Sequence, residues 1–276
     1  MRRGAVLLLF LMVTTANAEF LMERVEVTLS DIKSDGSVKV HESIKFIMYG
    51  EYSQSLYDSG ISNNQLAFWS TNTGLKDVKF HVNPSKVDIR DLRLRPQPRT
   101  GCNPIQGSCH GELILDYEAY PSYADNSSTT PLAGTGIFTV EQYKPRTKRY
   151  TLNPSALSFT STPESNIVLE DSVYLTINLP AESTVLDINP QPAGTNLALP
   201  SHVGSLTWTD IVLVRFSLVF DVEESIDREV TDFFGGIMSG ISKALSGPHG
   251  FALAVIIIIL AGSYLYITAS KRRVEE

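Results

Sequence analysis

Residues 24–48, RVEVTLSDIKSDGSVKVHESIKFIM, decide how this chain folds. Val25, Val27 and Leu29 alternate with Arg24, Glu26, Thr28 and Ser30, the period-two pattern of a strand with one dry and one wet face. Ser34-Asp35-Gly36 then supplies a turn. Beyond it Val38, Val40, Ile44, Phe46 and Met48 share a face, so the segment predicts a β-hairpin. Glu42 falls on that apolar face. A lone carboxylate is costly to bury, so its place in the pattern predicts a cationic or hydrogen-bonding partner, or an edge position.

Working outward, strands are expected at 66–69, 78–82, 87–94 and 112–120, the last with Leu113, Leu115, Tyr117 and Ala119 facing inward. Residues 122–136 break the alternation with Pro, Gly, Ser and Thr and carry the one N-x-S/T sequon, at Asn126, a candidate glycosylation site. They read as an exposed linker. Strands resume at 137–143, 149–152 and 173–179, and alternation runs unbroken from Val212 to Val222 behind Trp208, a candidate core plug. Six or seven short strands in the first half, with further alternating strands in the second, predict an all-β ectodomain of two immunoglobulin-like β-sandwich domains, at 19–121 and 137–225.

Both ends carry addresses. FALAVIIIILAGSYLYITA, residues 251–269, has no charge and is followed by Lys271, Arg272 and Arg273. As a helix it is roughly 28 Å long, close to the ~30 Å hydrocarbon core of a bilayer. The basic triplet is expected to stay cytoplasmic, giving a transmembrane helix at 250–269 and a short cytoplasmic tail at 270–276. At the other end Arg2-Arg3, an apolar run and Ala16-Asn17-Ala18 read as a signal peptide over 1–18, with Glu19 as the new N-terminus. The expected localisation is the cell membrane, single-pass type I, with the ectodomain extracytoplasmic and the lipid bilayer as a partner. Ahead of the span, 226–247 has apolar residues three and four apart and reads as an amphipathic juxtamembrane helix. Gly236, Gly240 and Ala244 form a small-residue stripe on it, a candidate helix-docking surface for a protein partner or self-association.

Charge narrows the function classes. The translocated part holds 18 Lys and Arg against 28 Asp and Glu once the terminal charges are set aside, a net charge near −10. Such a surface has no footprint for nucleic acid. The two cysteines, Cys102 and Cys109, predict a local disulfide in an oxidising compartment, with a ring-closure contribution of about 2.5 kcal/mol. The five histidines show no metal-ligand spacing, and no phosphate loop, nucleophile elbow or zincin helix occurs, so neither metal nor cofactor is expected. Asp88, Asp91, Asp116 and Glu118 lie on strands whose alternation turns most of them to solvent.

Two segments stand out as candidate partner-binding surfaces: a polar loop with Tyr49, Tyr52 and Tyr57, and the loop of Arg95 and Arg99 leading into the Cys102–Cys109 ring. The stretch Asp35-Gly36-Ser37-Val38-Lys39-Val40-His41-Glu42, with the signal, second β region and C-terminal span, resembles a family of uncharacterised prokaryotic single-pass membrane proteins with paired β-domain ectodomains. The resemblance implies a layout and no activity. The expected function is protein or glycan interaction by a membrane-anchored, non-enzymatic ectodomain, or an accessory subunit of a membrane complex. The alternative is a membrane-anchored extracytoplasmic hydrolase.

Overall fold

The computed structural model describes residues 18–124 and 131–223. The opening hairpin forms where the alternation places it. β1 (Glu19–Ser30) and β2 (Val38–Tyr49) pair antiparallel, with Val25 opposite Ile44 and Val27 opposite Glu42. At the turn Gly36 takes φ +84°, and a Cβ there would stand 2.6 Å from the Phe138 carbonyl oxygen, so glycine serves both conformation and close approach.

After β2 the chain departs from expectation. The tyrosine-bearing segment is a helix, α1 (Gly50–Gly60), and the apolar run expected as a strand at 66–69 is a second helix, α2 (Leu66–Thr73). α2 stops at Gly74, which adopts φ +65° as a left-handed cap. Residues 78–82, also expected as a strand, form bends with one isolated bridge, Val82 to Leu157. The two helices cover one end of the β2 face: Tyr57 lies edge-on to Phe46 at 5.7 Å and against Trp69 at 5.2 Å. Gly111 on the neighbouring strand makes room for this cluster, since a Cβ there would meet Phe46 at 2.8 Å and Tyr57 at 2.9 Å.

β3 (Val87–Asn103) and β4 (Ser108–Pro121) form a long hairpin that docks on β2. Beyond residue 130 come β5 (Phe138–Lys144), β6 (Thr147–Leu152), β7 (Thr160–Ser161), β8 (Ile167–Asn178), β9 (Ser183–Asn189), β10 (Ser201–His202), β11 (Ser205–Leu213) and β12 (Ser217–Glu223). The expected single strand through 212–222 is two: the chain reverses at Val214–Arg215, where Arg215 has φ +50°, and its halves enter different sheets.

The larger sheet runs β11-β8-β1-β2-β4-β3, with β7 also on β8; the smaller runs β10-β9-β12-β6-β5. β1 and β8 pair in parallel, with Val25 beside Val173 and Leu29 beside Ile177. This corrects the division into two domains at 19–121 and 137–225. Strands from both sides of the 122–136 segment share one sheet, the described residues form one compact unit, and the buried side chains of both sheets form one continuous core. The parallel pair is the physical reason: it hydrogen-bonds the N-terminal strand directly to the second half. Trp208 is fully buried as expected, but on β11 of the larger sheet, and its indole N–H donates to the Pro190 carbonyl at 2.9 Å.

Among the described residues no helix is long and apolar enough to cross a membrane. The signal at 1–18 except its last residue, Asn126, the juxtamembrane helix at 226–247 with Gly236, Gly240 and Ala244, the span at 250–269 and the tail at 270–276 lie outside the described residues.

Candidate functional site

The two segments singled out from the sequence meet at one end of the molecule. The β3–β4 hairpin begins beside the smaller sheet, where the Gly136 N–H donates to the Lys86 carbonyl at 2.8 Å. β4 is 14 residues long, so the hairpin tip lies roughly 45 Å away. There Cys102 and Cys109 form the expected disulfide. α1 clamps the tip from the side. The Gly50 N–H donates to the Gly107 carbonyl at 2.9 Å, and the Gln54 side-chain amide donates to the same carbonyl at 2.9 Å. Arg99 ties the arrangement together: it donates to Gln54 Oε1 at 2.7 Å and pairs with Asp58 at 3.2 Å.

Within this frame the sequence candidates take different roles. Tyr52 is 53% exposed on the outer face of α1, and Tyr49 is half-buried at the end of β2. Tyr57 is not a surface anchor, because it is wholly buried under the helix. Its hydroxyl donates to the Gln97 carbonyl at 2.5 Å and accepts from the Glu112 N–H at 3.2 Å, and burial pushes its phenol up to about 12. Position 57 faces the core because Ser53, Tyr57 and Gly60 repeat at helical spacing, a signal hidden by the polar composition of the segment. Arg95 and Arg99 sit on strand β3 rather than on a loop. Arg95 lies several residues from the tip and is engaged with Asp116.

One residue here went unnoticed in the sequence. Ile105, at the turn between β3 and β4, is 95% exposed, the most exposed of the large apolar side chains described. An isoleucine among Asn, Pro, Gln and Gly inside a disulfide ring was the available signal.

Glu42 has the partners its position required. It is wholly buried, and its carboxylate accepts three bonds: the Tyr117 hydroxyl and the His81 N–H on Oε1, the latter at 3.0 Å, and His81 Nδ1 on Oε2 at 2.8 Å. Burial, then the Glu42 charge, raises the Tyr117 phenol well above its ordinary value. His81 packs against the Phe159 ring at a tilt, and its carbonyl accepts from the Ser158 N–H at 2.8 Å. The cluster thus bonds the larger sheet to the segment that follows β6. It is sealed from solvent, and its chemistry is structural.

Asp88, Asp91, Asp116 and Glu118 face outward or partly so. Glu118 pairs with Lys33 at 2.9 Å, and Asp116 is bracketed by His41 at 2.7 Å and Arg95. Burial pushes the Asp116 carboxyl up, but the His41 and Arg95 bonds outweigh it and hold the group below the usual carboxylate range. Among the described residues no group of three or more His, Cys, Asp or Glu is placed to hold a metal ion.

No family model matches the chain, and no curated protein matches it. Among solved structures, native leukotriene A4 hydrolase from Saccharomyces cerevisiae aligns over 74% of this chain and 29% of its own, at 9% identity and a TM-score of 0.29. The yeast enzyme in complex with bestatin aligns over the same shares at 8% identity and a TM-score of 0.30. This chain spans less than a third of those proteins, and a likeness at that level carries no argument about fold or activity.

Proposed function

We propose that this protein is a single-pass type I membrane protein whose non-catalytic ectodomain docks a protein partner through the disulfide-closed tip, as an interaction protein or accessory subunit. The uncharged run at 251–269 with its basic flank, the N-terminal leader and the net acidic ectodomain support the topology. The observation that carries the docking role is Ile105, 95% exposed on a tip held by a disulfide and by two bonds from α1. An apolar anchor that is already ordered loses little conformational entropy on binding. Seating one isoleucine in a partner pocket contributes about 1.5–3 kcal/mol. Tyr52 on α1, the helix that clamps the tip, and Arg99, which bonds that helix, supply the residue types that dominate protein interfaces. A photo-crosslinking residue placed at 105 or 52 in intact membranes is expected to give a discrete adduct that the same residue at Gln142 does not give. Ile105→Asp, combined with the crosslinker at 52, should abolish that adduct. Equal adducts from all three positions, or an adduct indifferent to Ile105→Asp, would sink the docking role.

A further inference from the structure

The outer face of the larger sheet carries a second feature, far from the tip. Its side chains line up in cross-strand rows. One row runs Thr207, Thr176, Thr28, His41, Asp116 and Arg93 across six strands, each residue in register with the next. At its β3 end the row meets an irregularity. Arg90 pairs with Glu118 and Arg93 with Asp116, so Asp91 and Leu92 together face the single residue Tyr117. This is a β-bulge, and Asp91 takes φ +53° within it. Beside the bulge the sheet face is hollowed over about 490 Å³, with Lys39, His41, Asp91, Arg93, Asp116 and Glu118 around it.

The charges in this hollow are unevenly satisfied. Lys39 is paired with Asp31 at 2.6 Å, Glu118 with Lys33, and Asp116 with His41 and Arg95. Asp91 and Arg93 are different. Both are exposed, and neither has an ion-pair or side-chain hydrogen-bond partner among the described residues, although they stand two apart in sequence with opposite charge. Both line the hollow, which therefore presents a guanidinium fork and a carboxylate that no ion pair consumes. His41 adds a ring edge, since only its Nδ1 is engaged.

We propose that this hollow is a binding site for a neutral saccharide, recognised through a pair of vicinal hydroxyls. Each hydroxyl both donates and accepts, so one pair can accept from the Arg93 fork and donate to Asp91 at once. The lining favours this ligand over others. Both signs are present without excess of cation, which removes the drive for a phosphate or other anion. The two uncharged large residues at its floor, Val40 and Tyr117, turn their side chains into the core, so no apolar ligand is served. Water screens ion pairing in so open a hollow, so a zwitterion gains little there, whereas vicinal hydroxyls bridge both groups with directed hydrogen bonds. The site is separate from the tip, and either can fail without the other.

The test is titration of the full-length chain in lipid nanodiscs with methyl α-D-mannopyranoside and methyl β-D-galactopyranoside, read by saturation-transfer NMR and calorimetry, with glycylglycine as the zwitterionic comparison. At least one pyranoside is expected to bind saturably with a dissociation constant on the order of 1 mM. Asp91→Asn, which keeps a residue tolerant of positive φ, and Arg93→Gln should each weaken it about tenfold or more, with unchanged thermal unfolding. Absence of saturable binding by both pyranosides overturns the proposal. So does binding that survives both substitutions, or a site that takes glycylglycine in their place.

Discussion

Tyr117 and Phe differ by one hydroxyl, and in this molecule that hydroxyl is one of three donors holding a wholly buried carboxylate. Tyr117→Phe keeps the ring that packs edge-on against Phe80 but leaves Glu42 with two donors. The expected cost is about 1–3 kcal/mol, seen as a lower urea midpoint at unchanged slope. The same phenol, together with Tyr57, sets an alkaline limit. Both are raised by burial, whereas in the unfolded chain they lose their protons near pH ~10. Above that pH the native state binds more protons than the unfolded one, so stability declines as pH rises. Of the 11 tyrosines, these two are expected to ionise only in the cooperative unfolding transition of an absorbance titration. Their ionisation alongside exposed tyrosines in folded protein would contradict the buried arrangement. At acid pH the sign reverses. Asp116 is held below its ordinary value, so its stabilising contribution is present above pH ~4 and is lost as pH falls through the lowered value. Asp116→Asn should flatten the acid limb of the melting-temperature profile.

At the scale of elements, the disulfide and α1 share one task. Replacing Cys102 and Cys109 by Ser is expected to remove up to about 2.5 kcal/mol while leaving α1 packed on the sheet. The Gly50 amide, which donates to Gly107, should then exchange with deuterium much faster than amides in the centre of β2. Elements with strict alternation were legible in the sequence: β1, β2, β4 and the second half of β8 lie where period two places them, and Glu42, a charge in phase with Val40 and Ile44, called for a partner or an edge. Other features were not legible. α2 looked like a strand because Leu66, Phe68 and Trp69 form a short apolar run, which periodicity cannot assign. The turn between β11 and β12 was masked because Val212, Val214, Phe216 and Leu218 keep alternating while the backbone reverses at Arg215. The bulge at Asp91 left no trace, because an inserted residue among Asp and Arg on a wet face disturbs no hydrophobic phase.

For the whole molecule, the decisive contact is the parallel pairing of β1 with β8, and nothing local in either strand specifies it. It predicts that residues 19–124 expressed alone will not give a cooperative unfolding transition, since one flank of β1 loses its partner and the core loses the smaller sheet. Co-expressed with residues 131–223, the same fragment should fold and co-purify. A fragment 19–124 with a sharp melt of its own would show that the first four strands are self-sufficient.

The neighbours of Val25 are Ile44 on one side and Val173 on the other, and ribosomes make them at very different moments. At roughly 5–20 residues per second, Val173 follows Val25 by about 7 to 30 s. Once β2 is complete and until Val173 arrives, the nascent chain carries a hairpin whose β1 margin stands unpaired, open to any passing extended peptide. Its yield in a cell should therefore depend on a holding chaperone more than its final stability would suggest.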